Sequence, residues 1–223
     1  MSRISFLVSG VLAVLLAGTF FADALPMPVR TWIAQTIPGG SSYVRLPPDP
    51  GEEIRALIDR MDLTADGRLL FERSRPVIVD DLEELCGASD TDDDMTTLGC
   101  YHGFGRIYLL RDVVEFGRNA MLTIAAHELL HAAYDELSLR EREQLARLLT
   151  TEVDRIDRDD PVHAQIEASV GGDESLRSTE QFAYLGSQVV LPGGFAAELE
   201  QFYARWFIDR ETLASHGAAR TPR

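Results

Sequence analysis

From residue 52 onward, apolar positions recur along the chain mostly with a helical period. Ile54, Leu57, Ile58 and Met61 stand three and four residues apart and predict an amphipathic helix over 52–61. Asp62–Gly67 then predicts a turn leading into a strand over 68–72, with a second extended segment at Pro76–Val79. A short helix over 80–85 is followed by two strands, 99–103 and 106–110, joined around Gly103-Phe104-Gly105. The next helix, from about Phe116 or Asn119 to Tyr134, is apolar nearly all round, the pattern of a helix buried on every side. Ser138 with Glu141 three residues later forms a capping box for a helix reaching Val153, with Leu139, Leu145, Leu148 and Leu149 on its apolar face. Residues 154–172 are charged and broken by Pro161 and Gly171-Gly172. Ser178 predicts the cap of a further helix, and Pro192-Gly193-Gly194 separates it from a last one over 195–208. The pattern is that of an α+β protein, mainly helical, with a small antiparallel sheet before the long apolar helix.

The amino-terminal part follows another rule. Arg3 precedes an apolar run from Ile4 to Phe21, and Ala22-Asp23-Ala24 offers a small-x-small cleavage site. Residues 1–24 are therefore predicted to be a signal peptide or an uncleaved membrane anchor, and either one exports the rest of the chain. Residues 25–50, rich in proline and glycine, predict a linker, 51–215 a single catalytic-size domain, and 216–223 a disordered tail. Cys86 and Cys100, the only two cysteines, predict a disulfide suited to an exported protein. Asp90–Asp94, between them, predicts a solvated acidic loop. The formal net charge of −15, from 36 acidic and 21 basic residues, argues against nucleic acid and anionic lipid as partners, since both need a basic patch. Asp62, Thr64, Asp66 and Gly67 stand at the spacing of a calcium loop, but its twelfth position is Arg73 and the bidentate carboxylate is missing.

The candidate chemistry lies in the long apolar helix. His127-Glu128-Leu129-Leu130-His131 puts two imidazoles one turn apart on one helix face, able to share a metal ion, with Glu128 beside them within reach of a water. A catalytic zinc site takes a third protein ligand and keeps one position open. His163, Glu167, Asp173, Glu174 and Glu180 are the downstream candidates; Glu180 is best placed, at the start of an apolar helix, and His163 is the alternative. Glu128 is the candidate general base, acting on a zinc-activated water. Tyr101, His102, His163, Tyr184 and Tyr203 are candidate oxyanion donors, and Arg205 and Arg210 candidate holders of a substrate carboxylate.

His127-Glu128-Leu129-Leu130-His131 followed by Glu180-Gln181-Phe182-Ala183 resembles the gluzincin zinc metallopeptidases, particularly the minimal single-domain ones. The resemblance spans roughly 99–208 and implies a zincin-like fold, Zn2+ held by His127, His131 and Glu180, and peptide or protein substrates. In thermolysin-like members an aspartate four residues after the ligand glutamate orients a zinc histidine. That position is Tyr184, whose phenol oxygen offers an acceptor for the same hydrogen bond. A metzincin is excluded, because the third histidine would stand at Leu137. Two other readings stay open: a non-catalytic exported cell-envelope protein with structural zinc, and a zinc amide hydrolase acting on a non-peptide substrate.

Overall fold

A computed structural model of the chain describes residues 50–86, 97–102, 105–116 and 119–218. The predicted targeting segment, the linker up to residue 49, the acidic loop, the Gly103-Phe104 turn and residues 219–223 lie outside them. Among the described residues no helix is long and apolar enough to cross a membrane.

The first helix, α1 (Gly51–Arg60), buries Ile54, Leu57 and Ile58, as its spacing predicts. The segment expected to be a strand at 68–72 is instead part of a helix, α2 (Ala65–Arg73). Thr64 decides this: its side chain accepts the Gly67 N–H and caps the first turn. Gly67, read as a turn glycine, lies inside that turn against the Trp206 carbonyl. Strand β1 (Val77–Val79) follows, then α3 (Glu83–Cys86), β2 (Gly99–His102) and β3 (Arg106–Leu110). The sheet has the order β1-β3-β2 and is mixed rather than antiparallel, because β1 runs parallel to β3 while β2 pairs with it antiparallel. The predicted disulfide joins Cys86 to Cys100, tying α3 to the edge strand β2.

The long apolar helix is α4 (Ala120–Asp135). Its alanines and leucines at 125, 126, 129, 130, 132 and 133 are all at most 1 % exposed. It is the axis of the domain, packed against the sheet on one side and α7 on another. Helix α5 (Leu139–Val153) starts at the predicted capping box, with both reciprocal bonds between Ser138 and Glu141 present. Its apolar face is Leu145 and Leu149, whereas Leu139, expected on that face, is 80 % exposed. The charged stretch 154–172, given no element by its pattern, contains α6 (Val162–Val170), closed by Gly171 in the left-handed conformation.

Helix α7 (Arg177–Gln188) begins one residue before Ser178, with no side-chain cap. An added Cβ at Gly186 would lie 2.4 Å from Leu130 Cδ1 and 2.5 Å from a Tyr203 ring carbon, so only glycine lets α7 approach α4 this closely. The expected last helix is shorter than 195–208: α8 covers Ala197–Tyr203 and is followed by α9 (Arg210–Ala218), which runs past the predicted boundary at 215. Arg210 is buried and donates to the Val189 and Leu185 carbonyls at the end of α7 while pairing with Glu200. Arg205 pairs with Glu141 at 2.9 Å. Arg210 is thus committed to the fold, whereas Arg205 is exposed in a surface pair with Glu141.

Candidate metal centre

Helix α4 carries His127 and His131 on the face turned toward α7, and the first turn of α7 carries Glu180. The two Nε2 atoms are 3.1 Å apart. Glu180 places one carboxylate oxygen 3.7 Å from His127 Nε2 and the other 3.6 Å from His131 Nε2. These three residues can hold a metal ion. A tetrahedron of ligand atoms about 2.0–2.1 Å from zinc has edges of about 3.3–3.4 Å, and the observed separations fall around that length. The donor set, two neutral imidazoles and one carboxylate, suits Zn2+.

Burial sets the protonation states. It keeps His127 well below the ordinary imidazole pKa, helped by the neighbouring His131, and lowers His131 to about 4, so both rings present lone pairs at neutral pH. Burial also raises Glu180 to about 7. Glu128 is raised well above the usual carboxylate range, first by burial and then by the charge of Glu180, while a hydrogen bond from the Tyr101 N–H opposes the rise. Two carboxyl groups that burial holds toward the neutral form, next to two neutral imidazoles, make an environment that a divalent cation would relieve.

The sheet positions Glu128. An added Cβ at Gly99 would sit 2.6 Å from Ile124 Cγ2 and 3.2 Å from Glu128 Cγ, so the missing side chain lets β2 lie directly on α4. The Leu110 N–H bonds the Leu98 carbonyl, and the alternation of an antiparallel pair then turns the Tyr101 N–H away from β3, toward the free edge. There the Glu128 carboxylate accepts it. Gly99→Ala is expected to push β2 off the helix and cost about 1–3 kcal/mol, read as a lower urea midpoint at unchanged slope. An unchanged midpoint would mean that the contact yields without cost.

The hydrogen-bond support of the ligands differs from the expectation at position 184. Tyr184 bonds Ser169 Oγ at 2.9 Å and sets its ring edge-on to His127, with centroids 4.5 Å apart. His127 Nδ1 is buried without a hydrogen-bond partner among the described residues, so packing orients that ring. Support comes instead from Thr179, which sequence reasoning missed: its hydroxyl lies 2.9 Å from His131 Nδ1. When Nδ1–H donates to it, the Nε2 lone pair faces the cluster. Thr179→Val keeps the shape, removes the acceptor and is expected to weaken metal binding about 10–100-fold in a competition titration with a chelating dye. Unchanged affinity would show that packing alone orients both rings.

The remaining sequence candidates lie elsewhere. His163 bonds the Asp157 carbonyl at 3.0 Å and is not part of the cluster. Glu167 and Glu174 both pair with Arg177, and Asp173 caps Ser175. Tyr203 donates to the Phe182 carbonyl in the core, and the Tyr101 hydroxyl bonds Asp135. Tyr184 is thus the candidate oxyanion donor that touches a cluster residue, while His102 is exposed at the end of β2. No protein-family model, curated protein or solved structure matches the chain.

Proposed function

We propose that the chain is a zinc-dependent metallopeptidase with a zincin-like domain, exported and either released or held by its amino-terminal segment. The observation that carries the reading is the convergence of His127, His131 and Glu180 with Glu128 beside them at the open edge of β2. His127, His131 and Glu180 would hold Zn2+, which when bound supplies a Lewis acid that polarises a carbonyl and acidifies water. Glu128, buried and raised in pKa, is suited to take the proton of an attacking water and deliver it to the leaving nitrogen. The purely structural reading is disfavoured by Glu128 itself, a buried carboxyl group that such a site does not need and that costs free energy to keep.

An extended peptide substrate fits the sheet. In the order β1-β3-β2 one side of β2 has no partner strand among the described residues, and a peptide added there would run past Glu128. The disulfide suits an oxidising compartment. The test is cleavage of fluorescein-labelled casein by the detergent-solubilised full chain. Turnover that disappears with a chelator and returns with zinc is the expected result. A zinc-loaded protein that cleaves neither casein nor a mixed peptide pool would sink the peptidase reading.

A further inference from the structure

Beyond the metal centre, the hairpin end of the sheet borders a cavity of about 590 Å³ whose walls include Arg73, Arg75, Arg106, Tyr101 and Glu136. Three arginines against two glutamates, Glu84 and Glu136, leave the lining positive in a chain whose net charge is −15. Arg73 already pairs with Glu136 at 2.7 Å. Arg75 and Arg106 are exposed, and neither guanidinium has a carboxylate partner among the described residues; Arg106 lies over the Tyr108 ring. Arg75 also sits at a φ of 45°, a backbone conformation that favours glycine or asparagine. Keeping an arginine there costs free energy, which points to a role for the side chain.

The cavity is aligned with the candidate active site. Gly99 of β2 lies on Ile124 and Glu128, and Tyr101 reaches Asp135, so β2 and α4 run side by side. Glu136, in the cavity wall, follows His131 by five residues and Glu128 by eight, about 8–12 Å along the helix axis. An extended chain advances about 3.3 Å per residue, so that span corresponds to about three residues. We propose that this cavity is a specificity subsite that receives an acidic side chain of the substrate, about three residues to one side of the cleaved bond, on Arg75 and Arg106. The inference rests on the peptidase reading for the substrate's path, but the anion site itself makes a separate prediction.

The test uses the full chain in detergent, zinc-loaded and carrying Glu128→Gln so that nothing is consumed. The probes are two fluorescein-labelled octapeptide pools that differ only in Asp and Glu against Asn and Gln at one position, read by polarisation. With charge-assisted, two-pronged pairing, the acidic pool is expected to bind about tenfold tighter. That preference is expected to vanish in the exposed-site double variant Arg75→Gln, Arg106→Gln, whose melting temperature should not change. Equal binding of the two pools, or a preference that survives the double variant, overturns the proposal. If the acidic preference is present and lost in the double variant while the protein with Glu128 intact cleaves no peptide, the anion site stands and the peptidase reading falls.

Discussion

Glu180→Ala is expected to strip the protein of zinc: from about one ion per chain in the wild type to nearly none after dialysis, measured by inductively coupled plasma mass spectrometry. The wild-type site offers two imidazoles and one carboxylate at mutual distances of 3.1 to 3.7 Å. Removing Glu180 leaves two neutral ligands and takes away the one negative charge among the three. The loss carries a thermodynamic signature. An ion that binds only the folded state stabilises it by about 2.7 kcal/mol at a hundred times its dissociation constant. Added zinc should therefore raise the melting temperature of the wild type and leave that of Glu180→Ala unmoved. A variant that keeps its full complement of zinc would show that the third ligand lies elsewhere. His163 then becomes the next residue to replace, although its ring is engaged by the Asp157 carbonyl.

Why Glu180 was legible, and Thr179 beside it was not, follows from what a sequence pattern encodes. A histidine pair one turn apart on a helix fixes its own geometry, because a helix has one period and the two rings must share a face. Glu180 added a carboxylate at the head of an apolar helix that had to pack on the first one. Thr179 satisfies no such rule; its hydroxyl finds His131 Nδ1 only through the crossing of α7 over α4, which Gly186 permits. Residues 68–72 are helical and not a strand: Leu69-Leu70-Phe71 is too short a run to show its period, while Thr64, inside a turn-like stretch, caps a helix. Helix α6 did leave a signal, in Val162, Ile166 and Val170 at four-residue spacing between Pro161 and Gly171, but the surrounding charges obscured it. The parallel pairing of β1 with β3 was beyond reach, since alternation along a strand says nothing about the direction of its neighbour.

Glu128→Gln is expected to lower turnover of a cleaved peptide by about 10²–10⁴-fold while leaving the zinc content unchanged. Glutamine keeps the length of the side chain and an oxygen able to accept the Tyr101 N–H, so β2 need not move. It loses the ability to accept a proton from an attacking water, the step on which the proposed reaction depends. The same change should raise stability by about 1 kcal/mol, because it removes a 5 %-exposed carboxyl group that Glu180 opposes electrostatically. Lower activity, equal metal and higher stability together distinguish a catalytic carboxylate from a structural one: a residue that held the fold or the ion would lose stability or zinc along with activity. Unchanged turnover in Glu128→Gln would remove Glu128 from the chemistry, and zinc lost along with activity would make it a ligand. Paired with Glu180→Ala, the variant separates the ion from the proton: one replacement is expected to empty the site, the other to leave it filled and inactive.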